Sequence, residues 1–224
     1  MDTLGIAQES PSIVLIPASS RGPANPFGRF SHDNPADPAG WPEAWPTREP
    51  RGRLIVWAGW LDDDADPANG RFPRDLRTWT EPGWTALREG LAELRPAAHA
   101  AAGSICLRPA AGCVLGDPQA CLTFFRESSA AGLELLVDLP SMLTPEMMPE
   151  LPDHAARAFD ALGTLDAAVG SVLAAPVITD GRVGLQPLTD QPGTAELVLD
   201  AWRGSPLADR PALLIDPRDA ALLA

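Results

Sequence analysis

Residues able to do chemistry are few in this 224-residue chain, and their types already narrow the choice. All 17 basic residues are Arg, and there is no Tyr. Without Lys there is no Schiff-base amine, no Walker-type phosphate lysine and no lysine general base. His32, His99 and His154 are too few and too scattered for an imidazole-rich metal centre. Ser31-His32-Asp33 holds the three residue types of a catalytic triad, but adjacency in sequence does not build triad geometry. No Gly-x-Ser-x-Gly elbow occurs, which argues against an α/β-hydrolase. The acidic run at residues 62–66 lacks the glycine and terminal Glu of an EF-hand and reads as a solvated loop. Cys106, Cys113 and Cys121 match no zinc spacing and read as buried, inert thiols.

Composition excludes further classes. The chain carries 17 basic and 30 acidic residues, a net charge of -13. Nucleic-acid binding depends on Lys and Arg displacing counterions, so no nucleic-acid partner is expected. No apolar run approaches the roughly 20 residues that span a bilayer, so no membrane partner is expected either. Met1 to Ile6 lacks the basic start of a secretory signal, and a cytoplasmic location is expected. With 45% hydrophobic residues the chain can bury a core.

The elements that must position any site divide the chain in two. Residues 1–52 hold one short apolar strand at 12–17, then Pro23, Pro26, Pro35, Pro38, Pro42, Pro46 and Pro50. Repeated prolines remove helix donors and fix φ, so this stretch reads as an extended loop. Phe27, Phe30, Trp41 and Trp45 within it predict a flap laid over the core. From residue 53 to 224 the pattern turns regular. Apolar strands are predicted at 54–59, 104–109, 133–138, 169–173, 183–185 and 212–216. Helices are predicted at 82–102 with a break at Pro96, from Asp117-Pro118 towards Gly132, from Thr144-Pro145, at 153–162 and at 194–202. Alternating strands and helices predict an α/β fold, a TIM-barrel-like parallel (β/α) barrel. Seven strands are counted where a complete barrel needs eight, so the barrel is expected to be incomplete or modified at its amino-terminal end. Such a barrel exposes strand edges, which a homodimer would cover.

The stretch from 53 to 215 resembles the xylose isomerase-like TIM barrels, the sugar-phosphate isomerase/epimerase and endonuclease IV group. The resemblance rests on the strand ending near Gly59 and the helix with Trp84 and Leu91 that leads through Ala100-Ala101-Ala102-Gly103 into the next strand. It rests also on the strand ending in Asp138 and on residues 181–188 before the final helix. It implies a divalent metal held at the carboxyl ends of the strands by Glu, Asp and His. Carried over position by position, most of those ligands are missing. Arg108 stands where the family has Glu, Ser141 lies where a His is expected, Ser171 and Ala174 replace a further His, and Asp216 is the nearest equivalent of the final Glu. Only Asp138 matches. A permanently charged guanidinium repels a dication, so no metal and no other cofactor is expected. Arg108 is instead expected to take the metal's place, paired with Asp138 and with Asp216.

Three function classes remain, two from that resemblance and one from the amino-terminal segment. One is a metal-independent or weakly metal-dependent sugar isomerase or epimerase with Asp138, Asp216 and Arg108 as catalytic groups. The second is a barrel that binds a small sugar-like or anionic ligand through Arg108, Arg182 and Trp57 without the metal centre. The third is a structural or protein-interaction role through the Trp/Pro-rich amino-terminal segment.

Overall fold

The computed structural model describes residues 13–15, 27, 29–31, 33–37, 52–62, 65, 75–100 and 103–223. Seven strands form one parallel sheet: β1 (Ile13–Leu15), β2 (Arg29–Phe30), β3 (Arg53–Trp57), β4 (Ser104–Arg108), β5 (Leu133–Asp138), β6 (Ala168–Leu173) and β9 (Ala212–Leu214). Their spatial order is β1-β9-β6-β5-β4-β3-β2, and every neighbouring pair runs parallel. The first strand therefore lies beside the last, and from there the order follows the chain. This is the cyclic order of a (β/α) barrel, interrupted between β1 and β2, which share no ladder among the described residues. Over the described residues the sheet is an incomplete, curled barrel.

Side-chain alternation shows what fills the curl. Val14, Phe30, Ile55, Cys106, Leu136, Val172 and Leu213, one from each strand, gather with Phe27 into a single inner cluster. Phe27 sits so close to β6 that a Cβ on Gly170 would meet its ring at 3.3 Å and the Pro211 carbonyl oxygen at 2.7 Å. The other faces of β3 to β6 pack on α1 (Glu81–Ala100), α2 (Pro118–Arg126), α4 (Leu151–Gly163) and α5 (Pro192–Arg203) in a second, larger core. A one-turn helix, α3 (Leu139–Met142), follows β5 directly.

Several expectations are corrected. The segment at 183–185 is not a barrel strand: β7 (Ala175–Thr179) and β8 (Arg182–Gln186) form a separate antiparallel hairpin. The seventh parallel strand is instead the two-residue β2. α1 runs through Pro96 without a break, because Leu94 and Ala98 keep its buried stripe continuous on both sides of the missing N–H. The Thr144-Pro145 start opens a 3₁₀ helix, Pro145–Glu150, whose second proline, Pro149, fits no α-helical ladder. Of the proposed flap, Phe27 and Phe30 enter the inner cluster, and Asn34 exchanges hydrogen bonds with Trp60: its amide donates to the carbonyl at 2.8 Å, and the Trp60 N–H donates back at 3.1 Å. Trp41 and Trp45 lie outside the described residues, as do His32, Asp63, Asp64 and Asp66. No described helix is long and apolar enough to cross a membrane.

Candidate functional site

Parallel strands aim their carboxyl ends at one opening, and the inward alternation decides which side chains reach it. Ile55, Cys106 and Leu136 face inward, so Trp57, Arg108 and Asp138, two residues further on, face inward at the carboxyl end. Register places Trp57 directly opposite Arg108 across β3 and β4. The Arg108 guanidinium carbon lies 4.2 Å from the Trp57 ring centre and 5.6 Å from that of Phe30. Both rings thus supply cation–π attraction and a rigid shelf. From that shelf Arg108 Nε donates to Asp138 Oδ2 at 2.5 Å, and a terminal guanidinium nitrogen pairs with the same oxygen. Ser141, on the single turn of α3, donates its hydroxyl to that oxygen too, at 2.6 Å.

The Asp138 side chain is 0% exposed and that of Arg108 16%. The second carboxylate oxygen, Oδ1, is buried without a hydrogen-bond partner among the described residues. A buried acceptor left unpaired costs about 1–3 kcal/mol, more when charged, so this atom is where the site is incomplete.

The expected trio is only partly assembled. Arg108 and Asp138 pair as expected, and Trp57 supports them. Asp216 does not join them. It caps the 3₁₀ helix Pro217–Leu222, accepting from Arg218 N at 2.8 Å, and pairs with the Arg218 guanidinium at 2.9 Å. A cap partner two residues away is met before any partner across the barrel. The Arg218 hydrogen bonds hold the Asp216 carboxyl below its ordinary value. Arg182 stands exposed beside the hairpin turn, away from the pair. Ser171 faces the opposite side of β6 from Val172, and its hydroxyl is buried without a partner. Cys113 and Cys121 are buried in the helix-side core and Cys106 in the inner cluster. Burial pushes the Cys113 thiol up to about 12 and the other two upward as well.

Sequence reasoning missed the other end of the barrel. Arg53 Nε donates to Glu134 Oε2 at 2.6 Å, Ser104 donates to the same oxygen at 2.9 Å, and the Arg53 guanidinium lies 4.7 Å from the Phe27 ring centre. The polar period within β5, Glu134 and Asp138 on one face, was the available signal. A cavity of about 270 Å³ opens at this amino end, bordered by Arg95, His99, Ser104 and Gly132. It lies at the carbonyl end of α1, where the helix dipole disfavours anions.

The donor set does not suit a divalent cation. Asp138 Oδ2 is engaged by a guanidinium and a hydroxyl, and among the described residues no three His, Cys, Asp or Glu side chains converge. A metal at this opening would face a fixed positive charge.

The class defined by strand order is an incomplete (β/α) barrel. Comparison with solved structures finds a D-tagatose 3-epimerase-like protein, 13% identical with a TM-score of 0.45, matched over 76% of this chain and 58% of its own. It also finds a xylose isomerase-like TIM barrel protein from Mycobacterium smegmatis in complex with magnesium, 11% identical with a TM-score of 0.37, over 72% and 53%. This chain thus spans little more than half the length of either. No protein-family model matches the sequence. Comparison with curated proteins gives no match.

Proposed function

We propose that the protein binds a small, sugar-like polar ligand at the carboxyl end of its barrel without a metal centre, as a divergent form of the sugar isomerase and epimerase barrels that its sequence resembles. The observation that carries this reading is the half-satisfied pair. Arg108 is locked on Trp57 and keeps N–H groups beyond those given to Asp138, while Asp138 Oδ1 lacks a donor. A ligand hydroxyl that donates to Oδ1, beside an oxygen that accepts from the guanidinium, completes both. A phosphate dianion brings acceptors only and leaves Oδ1 as it is, so hydroxyl groups are the recognised feature.

A second reading has its own support. The Arg53–Glu134 pair at the amino end repeats the same arrangement, a carboxylate bound by Arg and Ser with the guanidinium against an aromatic ring. On that reading both pairs are fasteners between strands, Arg108–Asp138 joining neighbouring β4 and β5 and Arg53–Glu134 reaching across β4 to join β3 and β5. Thermal unfolding with Mg, Mn and Zn salts and with neutral and phosphorylated sugars separates the two. Ligand binding predicts stabilisation by a hydroxylated compound, abolished in Arg108→Met, and no effect of metals. No shift with any compound leaves the fastener reading. Arg108→Glu is expected to gain no tight metal binding, since Asp138 and one new carboxylate remain short of a full ligand set; a metal-dependent rise in stability of that variant would contradict the fit argued above.

A further inference from the structure

Among the described residues, the strands of the hairpin β7–β8 hydrogen-bond to each other and to no strand of the barrel sheet. Its turn is Asp180-Gly181, both at positive φ (52° and 72°), the two-residue reversal that matches strand twist. It is therefore a stiff unit that can move without breaking a barrel ladder. Its outer half is exposed, with Ile178 at 49%. Its inner half packs on both cores: Ala175 and Val183 on the helix-side core, with β7 against α5, and Leu185 on the inner cluster, with β8 against α3, the turn that carries Ser141 next to Asp138. At its base, Gln191 donates to the Gln186 side chain at 2.9 Å. Asp138 Oδ1, beside α3, is buried but unpaired among the described residues, so its burial carries a cost that access of water or of a ligand removes.

We propose that the β7–β8 hairpin is a lid over the carboxyl end of the barrel, with Leu185 as its plug, and that it controls access to Arg108 and Asp138. The proposal rests on the reading of that end as a ligand site, but its test needs no ligand. A Ser141→Cys variant puts a reporter thiol on the covered turn, and Cys121, buried against the helices, reports general unfolding. Labelling with N-ethylmaleimide under native conditions, followed by peptide-resolved mass spectrometry, gives the ratio of the two rates. Adding Leu185→Ala should raise that ratio about tenfold, the factor expected when a half-buried leucine loses its packing. Leu185→Val gives the same ordering with a smaller change should the alanine variant not fold. Leu207→Ala, in the helix-side core, should accelerate both thiols together and leave the ratio unchanged. If Leu185→Ala leaves the ratio unchanged, whether both rates rise or neither does, the hairpin is not a lid. That failure is separate from failure of the ligand reading, which the sugar panel decides.

Discussion

Removing the Arg108 charge while keeping its bulk tests the energetics of the barrel's carboxyl end directly. In Arg108→Met the Asp138 carboxylate, 0% exposed, keeps one hydrogen bond from Ser141 and loses its counter-charge. Breaking one half of a buried pair costs about 3–5 kcal/mol, because the remaining charge has neither water nor partner. The reverse substitution, Asp138→Leu, leaves a guanidinium that is 16% exposed and still rests on Trp57, so its cost is about 1–3 kcal/mol. The double variant Arg108→Met/Asp138→Leu removes both charges and should recover most of the loss. With about 1 kcal/mol left in the double variant, a coupling energy of about 3–7 kcal/mol is therefore expected from the cycle. At the amino end, Arg53 and Glu134 are 33% and 25% exposed, and Arg53→Met should cost only about 1 kcal/mol. Urea unfolding followed by circular dichroism gives all five values, provided that the slope is common to the variants. A cost below about 1 kcal/mol for Arg108→Met, or a double variant as unstable as that single one, would refute the claim that the pair is closed to water.

Three further outcomes follow from local geometry and charge. Gly170→Ala forces a Cβ to 2.7 Å from the Pro211 carbonyl oxygen, a backbone atom that cannot swing away, and should lower stability by about 1–3 kcal/mol in the same urea assay. The Asp216 carboxyl is held below its ordinary 3.8 by Arg218, so its stabilisation is complete above pH 3.8 and fades as pH falls through the depressed value. Asp216→Asn should remove that part of the acid dependence, and an acid-unfolding gap between the two proteins that does not change with pH would contradict it. The Cys113 thiol, raised to about 12 from 9.0, should cost stability as pH climbs through that interval, where the unfolded chain ionises first; Cys113→Ala should flatten the alkaline limb of a stability profile.

The legibility of this fold in its sequence varies with how much pattern each element holds. β3, β4, β5 and β6 are apolar runs bounded by breakers, and they stand out because both faces of a barrel strand are buried. Two residues of β2 hold no period at all, and only pairing with β3 makes them a strand. The hairpin was readable but misassigned. Asp180-Gly181 between Ile178-Thr179 and Arg182-Val183 is a strong short-range turn signal, and it outweighs the expectation that any apolar triplet belongs to the barrel. The Arg108–Asp138 contact was legible because both residues end neighbouring strands. Asp216 failed the same reasoning because it lies two residues beyond β9, where a capping role with Arg218 is available locally. The ring shelf under Arg108 was half visible: Trp57 lies within a strand, whereas Phe30 belongs to a stretch whose prolines masked its strand character.

The two ends of the barrel, compared with each other, separate architecture from a site. Each closes the inner apolar cluster with one Arg, one carboxylate, one Ser and an aromatic ring, so the motif alone marks nothing but strand pairing. They differ in solvent. Glu134 is 25% exposed and finds water for what the protein does not satisfy, whereas Asp138 is sealed and keeps an orphaned oxygen. A pure fastener gains nothing from that burial, since the more exposed Arg53–Glu134 pair also bridges its strands and does so at lower desolvation cost. The sealed end is the one whose short helix α3 packs against the hairpin, the one element of the described sheet structure outside the parallel ladder. Burial and an unsatisfied acceptor thus coincide at the carboxyl end and are not found together at the Arg53–Glu134 pair, which is why the proposed ligand and the proposed lid are both assigned to Arg108 and Asp138.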